Sequence, residues 1–268
     1  MLGVIIFFIL FYILRMHCLS KDEWCDILSQ LYNAPFHKDN FVKVSNALTQ
    51  INISVKYNKQ LITSTALMVF GKYYVIQHIN TLKRQLSNEE VVYYACACFF
   101  IATKITNYLC SVDTVIKAVG VGERNKQHVK KEVLRLEMEI LIKINFEVNF
   151  DMAYNYVKVI KDGIYGVDMD MDMECVRTWV YYINDSFLIP LYVRYSAFVI
   201  ALACLQMVMV HFNKEFDVKE VVCKGEWDTQ VDVEEVEECV GIIKELIYSE
   251  EVIWGRKWIV DSERNEKK

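Results

Sequence analysis

The segment from Val91 to Thr103 reads VVYYACACFFIAT and contains no charged residue. As a helix it is apolar on every side, so it is predicted to lie in the middle of other helices, away from water. A second charge-free run, YSAFVIALACLQMVMV, extends from Tyr195 to Val210. Both runs are shorter than the roughly 18 apolar residues that a membrane-spanning helix needs. We therefore expect two helical bundles, each built around one buried central helix.

The segments around the two runs follow one another in the same order. Apolar residues at helical spacing predict helices over 38–52, 57–79, 91–103, 111–119 and 126–145, and again over 150–161, 172–188, 195–210, 216–224 and 232–248. The apolar positions of the fifth and tenth segments correspond at a constant offset, as Val133 does with Val236 and Ile140 with Ile243. The fold is therefore predicted to be all-α, with two tandem five-helix domains, since two copies are too few for a solenoid.

The composition of the chain supports a helical globular protein. Its 268 residues are 54% hydrophobic and 24% charged, and with 9 glycines and 2 prolines the residues that break helices are rare. The net charge of −5 does not provide the basic surface that nucleic-acid-binding proteins use. We expect a protein partner and no direct contact with nucleic acid.

The cysteines and histidines do not form a metal-binding pattern. The nine cysteines are an odd number and lie singly, mostly in apolar runs, which predicts reduced, buried thiols in an intracellular protein. There is no CxxC, HxxxH or HExxH motif, so neither a metal nor another cofactor is expected. Asp168, Asp170 and Asp172 imitate the first three calcium ligands of an EF-hand, but Met173 and Trp179 stand where that loop needs glycine and glutamate. These carboxylates are instead expected to stabilise the start of the next helix.

The first residues conflict with an intracellular protein. Residues 2–14, LGVIIFFILFYIL, contain no charge and would rise about 20 Å as a helix, which is short for a membrane span but suits a signal peptide. Three interpretations stay open: a signal or membrane anchor, a packed apolar arm, or translation that begins at Met16. Two glycosylation sequons, at Asn52 and Asn184, would matter only in a secreted chain.

One carboxylate stands where an apolar residue is expected. On the predicted helix over 126–145, the neighbours of Glu137 three and four positions away are all apolar: Val133, Leu134, Ile140 and Leu141. A charge on an apolar face is costly unless it is paired or receives hydrogen bonds. Glu139, between Arg135 and Lys143, is instead interpreted as an ordinary glutamate of a solvated face.

Lys104 is the first charge after the run that ends at Thr103. Two roles for the Glu137 carboxylate stay open: an ion pair with Lys104 inside the chain, or hydrogen bonds that a partner protein supplies. A small basic cluster at the start of the same helix is interpreted as a solvated face; it consists of Lys126, His128, Lys130 and Lys131. Nothing in the spacing of Ser, Cys, His and Asp residues points to a catalytic site.

The order of these features resembles a known family. ACACFFIATKIT, residues 95–106, and KKEVLRLEMEILIKINFEVNF, residues 130–150, are similar to the third and fifth helices of the cyclin box. The resemblance extends over about residues 40–250, both halves of the chain, and is closest to the transcriptional cyclins K, T and L.

The cyclin resemblance implies a domain organisation. Two tandem five-helix cyclin boxes are expected at 38–148 and 149–250. An apolar segment and a short N-terminal helix are expected within 1–37, and a short polar tail at 251–268.

The same resemblance implies a non-catalytic protein that activates a cyclin-dependent kinase, of the transcription-associated class that acts on RNA polymerase II in the nucleus. In this family, the lysine that ends the third helix and the glutamate of the fifth helix bind the kinase, and here these are Lys104 and Glu137. Family positions four and nine residues beyond the glutamate supply apolar contacts, and they fall on Leu141 and Phe146. The implied partner is a kinase catalytic subunit, and no cofactor is implied.

Three other classes of protein stay open, of which an enzyme has the least support. General transcription factor IIB holds DNA with two cyclin-like boxes, but it has a zinc ribbon and basic box surfaces, and this sequence shows neither pattern. A secreted or membrane-tethered helical protein, similar to cyclins only in architecture, would explain residues 2–14 and would not be nuclear. Residues 42–48, VKVSNAL, do not reproduce the hydrophobic docking motif of the S-phase cyclins, so that mode of substrate capture is not expected.

Overall fold

The computed structural model describes residues 20–56, 59–77, 79, 84–163, 171–224 and 231–248. Over these ranges the chain forms eleven α-helices, one short 3-10 helix and no β-strand, which confirms the predicted all-α fold. The elements are α1 (Lys21–Asn33), α2 (Pro35–Ser54), α3 (Gln60–Gln77), α4 (Asn88–Ile105), α5 (Val112–Ala118), α6 (Glu123–Lys143), α7 (Tyr154–Gly163), α8 (Met173–Ser186), the 3-10 helix (Leu191–Val193), α9 (Ala197–His211), α10 (Val218–Lys224) and α11 (Val233–Ile247).

None of the helices within these ranges combines the length and the apolar character that crossing a membrane requires. The apolar residues 2–14 and the predicted polar tail at 251–268 lie outside the described residues.

The helices divide between two compact units. The first unit ends at Phe150 and holds α1 to α6, and the second begins at Asp151 and holds α7 to α11. The second unit thus contains five α-helices, and the first contains five, α2 to α6, in the predicted order, together with α1, which is the predicted N-terminal helix. The segment Phe187–Arg194 belongs to the first unit although it follows α8 in sequence. The boundaries of the two expected boxes, at 38–148 and 149–250, stay a prediction.

Helix α4, which carries the charge-free run from Val91 to Thr103, forms the core of the first unit. Its residues Ala95 to Phe99 have no exposed surface, and α2, α3 and α6 all pack against it. Burial raises the pKa of the Cys96 thiol to about 12, so at neutral pH this thiol stays protonated and packs as a small apolar group. Cys25 on α1 is exposed and departs from the expected pattern of buried thiols.

Helix α9 has the same position in the second unit. Every residue from Ala197 to Leu205 is buried, and α8 and α11 pack against this helix. The Trp179 indole N–H on α8 donates to the Ala201 carbonyl at 2.8 Å. The two charge-free runs are therefore the two central helices, as predicted.

The ends of α4 and α9 are fixed by the same local chemistry. The Ser87 and Ser196 side chains accept hydrogen bonds from backbone N–H groups of the first turns of α4 and α9. Just beyond each helix stands an asparagine in the left-handed conformation, Asn107 with a φ of 58° and Asn213 with a φ of 52°. Asparagine can end a helix in this way where glycine is more common. The matching ends support the internal repeat that the sequence indicated.

A buried polar network fixes α2 against α3. Nδ1 of His37, on α2, lies 2.8 Å from the Tyr74 hydroxyl on α3, and Asn40 Nδ2 donates to the same hydroxyl at 2.8 Å. The Asn40 side-chain oxygen accepts from the Leu86 backbone N–H at 2.8 Å, just before α4 begins. All four residues are buried. Because buried polar groups are costly to leave unsatisfied, this network favours one arrangement of α2, α3 and the turn before α4.

Gly71 on α3 makes room for Tyr192. The Tyr192 hydroxyl lies 3.0 Å from the Leu67 carbonyl oxygen and 3.1 Å from that of Met68, and it donates its proton to them. A Cβ atom at Gly71 would stand 1.8 Å from this hydroxyl oxygen, far closer than van der Waals contact. The tyrosine side chain therefore occupies the space that the missing side chain leaves, and this contact holds Phe187–Arg194 in the first unit.

Replacing Gly71 by alanine is expected to destabilise the protein by about 1 to 3 kcal/mol, because the new methyl group collides with Tyr192. Gly241→Ala on α11 is the matched control, since a Cβ there meets no atom within 4 Å and alanine raises helix stability by about 1 kcal/mol. Urea denaturation measures both changes. If Tyr192 fills this space, adding Tyr192→Leu to the Gly71→Ala variant should restore part of the lost free energy of unfolding. Equal changes in the free energy of unfolding for Gly71→Ala and Gly241→Ala would contradict the contact.

Acid should remove the stabilising effect of the Glu90 charge at the start of α4. Arg84 and the Ser87 cap lower the pKa of Glu90 to about 2, so the charged carboxylate stabilises the fold above about pH 5, and this contribution is lost as the pH falls to about 2. Glu90→Gln keeps the cap geometry and removes the charge. We expect it to unfold about 1 kcal/mol more easily at pH 7, with the difference from the original protein closing towards pH 2 in urea titrations. A difference that is independent of pH would refute this role of the charge.

Candidate partner-binding site on the first unit

The four residues predicted to bind a partner lie towards the C-terminal ends of α4 and α6. Lys104 is in the last turn of α4, and Glu137 and Leu141 lie one turn apart on α6. Phe146 follows α6, and its backbone N–H donates to the Leu141 carbonyl at 2.8 Å. Because α4 and α6 pack against each other, Lys104 reaches Glu137.

An ion pair joins the two charged residues of the site. Lys104 Nζ donates to Glu137 Oε1. Glu137 is only 7% exposed, as expected for a carboxylate on the apolar side of α6, whereas the Lys104 side chain is 48% exposed. The intrachain pair, one of the two roles that the sequence left open, is therefore formed. Because an ammonium group has three N–H donors, the half-exposed Lys104 can still donate to an acceptor outside the chain.

Phe100 holds the Lys104 side chain in place. Lys104 Nζ lies 4.0 Å from the centroid of the Phe100 ring, one helical turn earlier on α4. The negative face of an aromatic ring attracts a cation by about 0.5 to 1 kcal/mol at exposed sites. The ammonium group thus lies between a carboxylate and an aromatic ring. Phe100 was not among the predicted site residues, although its spacing of four residues from Lys104 is a signal in the sequence that indicates such a contact.

The end of α6 presents Phe146 to solvent. Asn145 and Phe146 both have left-handed backbone conformations, with φ values of 53° and 56°. Two such residues cannot continue a helix, so α6 ends at Lys143 and not at residue 145 as predicted. For an aromatic residue this conformation is strained, yet the Phe146 ring is 60% exposed. Because the ring is exposed, burial within the chain does not compensate for the strain. An exposed aromatic ring held in a strained conformation favours a role in binding a partner.

Three further apolar residues of α6 are exposed beside the predicted site. Leu134, Met138 and Ile142 are 39%, 53% and 55% exposed. Their spacing of four residues places them on one face of α6, next to the partly exposed Leu141. The sequence analysis placed Leu134 in the apolar stripe around Glu137 and missed the other two. A helical wheel of α6 could have shown this second apolar stripe beside the buried one.

Glu139 does not lie on a fully solvated face, which corrects the sequence-based interpretation. It accepts a hydrogen bond from Arg135 at 2.6 Å, in line with their spacing, and another from the Tyr73 hydroxyl on α3 at 2.6 Å. Burial, together with the bond to Glu139, raises the pKa of Tyr73 far above its ordinary value. The sequence of α6 alone could not reveal this contact, because it depends on the position of α3.

Of the three acidic residues that imitate an EF-hand, the structure describes Asp172; among the described residues no group of three or more His, Cys, Asp or Glu side chains could hold a metal ion. Asp172 instead accepts a hydrogen bond from the Cys175 backbone N–H at 2.8 Å at the start of α8, and this bond lowers the pKa of Asp172. This is the helix-start role predicted for it. Asp168 and Asp170 lie outside the described residues.

The two sequon asparagines are engaged in the fold. Asn52 is 7% exposed, and its side-chain nitrogen donates to the Thr63 hydroxyl at 3.2 Å. The Asn184 side-chain oxygen accepts a hydrogen bond from the Tyr154 hydroxyl. A glycan on Asn52 would require local unfolding, so this sequon does not support a secreted, glycosylated chain.

Solved structures similar to this chain include the three described below, whereas comparisons with protein-family models and with curated protein sequences return no match. A structure of the yeast RNA Pol II CTD kinase CTDK-1 complex matches with a TM-score of 0.67 at 15% identity, over 87% of this chain and 74% of the other. The chain has a cyclin-like fold.

Two further structures have the same cyclin-like fold. The yeast TFIIK complex matches with a TM-score of 0.55 at 16% identity, over 85% of this chain and 96% of the other. The CAK complex from Chaetomium thermophilum matches with a TM-score of 0.57 at 10% identity, over 89% of this chain and 81% of the other. At these identities the likeness shows the fold and not the partner.

Replacing Phe100 by leucine should release Lys104 while leaving the fold intact. We expect the ε-methylene protons of Lys104 to lose the upfield shift that a ring directly above them causes, because leucine keeps the apolar bulk and removes the ring. Carbon–proton NMR spectra of the lysine side chains measure this shift, with Lys104→Arg to assign the signal and Phe100→Tyr as the control that keeps it. An unchanged signal in Phe100→Leu would show that the contact does not form in solution.

Proposed function

We propose that this protein is the non-catalytic regulatory subunit of a cyclin-dependent kinase. The observation that carries the proposal is the Lys104–Glu137 ion pair at the surface of a cyclin-like unit, with the partly exposed Leu141 and the exposed Phe146 beside it. These are the four residues to which the cyclin resemblance assigns kinase binding.

The kinase is of the transcription-associated class that acts on RNA polymerase II, which places the protein in the nucleus. Support comes from the similar structures, which are of an RNA Pol II CTD kinase complex, a TFIIK complex and a CAK complex bound to ATP-gamma-S. The sequence resemblance to the transcriptional cyclins K, T and L supports the same class.

The mechanism is one of positioning. A protein kinase holds ATP correctly only when the lysine of its third strand pairs with the glutamate of its C helix. A rigid surface that binds the C helix in this position shifts the population of the kinase towards the active state. To convert a mostly inactive kinase into a mostly active one, the subunit must bind the active state more tightly by about 5 kcal/mol. The subunit itself makes and breaks no covalent bond.

The first unit has the rigidity that such positioning requires. Lys104 stands on the buried helix α4, and Glu137 is fixed by its own burial and by the ion pair. Side chains that packing and hydrogen bonds hold in one rotamer lose little entropy when a partner binds.

The site is tested by removing either charge. Purified alone, the protein should have no kinase activity, and affinity purification followed by mass spectrometry should recover it with a kinase catalytic subunit. Lys104→Ala and Glu137→Ala should each weaken that association by about 1 to 3 kcal/mol, roughly 5- to 150-fold, because each leaves its partner group unpaired. Isothermal titration with the recovered kinase measures the affinity.

Arg84→Ala is the matched control. It removes the ion pair between Arg84 and Glu90 at the N-terminal end of α4, whereas Lys104 lies at the C-terminal end. It should bind the kinase with unchanged affinity. Normal binding and activation by both Lys104→Ala and Glu137→Ala would refute the site, and recovery of the protein with DNA or lipid and never with a kinase would refute the function.

A further inference from the structure

The turn that follows α6 differs from the other helix ends that the structure describes. Where α2, α4 and α9 end, one residue with a left-handed backbone follows, as Asn107 does after α4. After α6 two such residues stand in succession, Asn145 and Phe146, with φ values of 53° and 56°. The second of them is aromatic, and this conformation costs such a residue free energy. A further interaction of the folded chain is needed to hold the turn.

The backbone hydrogen bonds of the turn are not that interaction. The Phe146 N–H donates to the Leu141 carbonyl at 2.8 Å. The end of α4 has the same bond, from the Tyr108 N–H to the Thr103 carbonyl at 2.9 Å, yet Tyr108 is not left-handed. The bond to Leu141 therefore does not by itself require the left-handed conformation of Phe146.

An ion pair holds the residue that follows Phe146. Lys72 Nζ, on α3, donates to Glu147 Oε2 at 2.5 Å, and the two side chains are 17% and 25% exposed. In every other ion pair of the described residues, one partner is 43% exposed or more. Water and salt weaken an ion pair less when both partners are shielded. The contact between Lys72 and Glu147 is therefore suited to fix the end of the turn.

Helix α3 is a firm support for this contact. Lys72 lies between Gly71 and Tyr73, and both neighbours are buried. The Tyr73 hydroxyl also donates to Glu139 on α6 at 2.6 Å. Helix α3 thus holds α6 at Glu139 and the turn after α6 at Glu147.

We propose that Lys72 and Glu147 are a positioning pair, which holds the turn after α6 in the conformation that presents Phe146 to the kinase before the kinase binds. This inference rests on the proposed function and adds how the free chain keeps that site formed. Leu141 and Phe146 lie in sequence between the two residues that α3 holds, Glu139 and Glu147. The kinase then meets a preformed surface, and its affinity is not reduced by molecules in which the turn is open.

Hydrogen exchange of the free protein tests the pair without any kinase. Lys72→Met keeps the apolar length of the side chain and removes the charge that Glu147 binds. The Phe146 amide, which loses its bond to Leu141 when the turn opens, should then exchange about tenfold faster relative to the amide of Ala97 in the core of α4. NMR measures both rates. A loss of overall stability alone would speed both amides by the same factor, and this outcome overturns the inference.

Kinase affinity tests whether the held turn matters for binding. Lys72→Met should weaken binding of the kinase recovered by affinity purification about fivefold, as isothermal titration measures. In a chain that carries Phe146→Ala, adding Lys72→Met should cause no further loss, because the pair acts through the Phe146 ring. Lys130→Met is the matched control, since it breaks the ion pair with Asp113 that joins α6 to α5, and it should bind with unchanged affinity.

Exchanging the two charges provides a rescue. Lys72→Glu alone sets two carboxylates against each other, so it should open the turn and weaken kinase binding at least as much as Lys72→Met. Lys72→Glu combined with Glu147→Lys re-forms the pair and should restore both the affinity and the slow exchange of the Phe146 amide. Far-ultraviolet circular dichroism checks that each variant keeps its helices.

The outcomes separate this inference from the proposed function. The inference is wrong and the function stands if kinase binding depends on Lys104 and Glu137 but Lys72→Met binds normally. The same holds if Lys72→Met weakens binding equally with and without the Phe146 ring. An exchanged pair that binds no better than Lys72→Glu alone also overturns the inference. Absence of any kinase partner would remove the proposed function and the inference together.

Discussion

Burial of the charge-free run of α4, from Val91 to Thr103, constrains the first unit, because a helical stretch without a polar face is stable only when other helices surround it. Four helices, α2, α3, α5 and α6, pack around α4, and the polar network of His37, Asn40 and Tyr74 fixes two of them, α2 and α3, against each other. Lys104 is the point at which α4 reaches the surface. The more exposed charge of the candidate site is thus attached to the central helix of the unit, and its position follows from the packing of the core.

The Lys104–Glu137 pair shows how a feature that is costly for folding can persist at a binding surface. Burial of the Glu137 carboxylate costs desolvation free energy, and this cost offsets much of its attraction to the half-exposed Lys104. The strained and exposed Phe146 next to it is also unfavourable for the isolated chain. Proteins retain such features at sites where a partner uses them, and in this chain both occur at the same end of α6.

The sequence predicted those parts of the structure that depend on the pattern of a single segment. The charge-free runs identified the central helices α4 and α9, and the apolar neighbours of Glu137 identified a buried carboxylate. It could not predict contacts that depend on the relative position of two helices. The bond between Tyr73 and Glu139 is one example, and the Phe100 ring beside Lys104 was missed because aromatic residues of such a run are expected to face the core.

The contact between Gly71 and Tyr192 has a consequence for the nascent chain. The two residues are about 120 positions apart, and α7 and α8 are synthesised between them. Tyr192 can fill the space beside Gly71 only after it too has emerged from the ribosome. Translation of α7 and α8 therefore precedes the final packing of the first unit, so the two units do not mature one after the other.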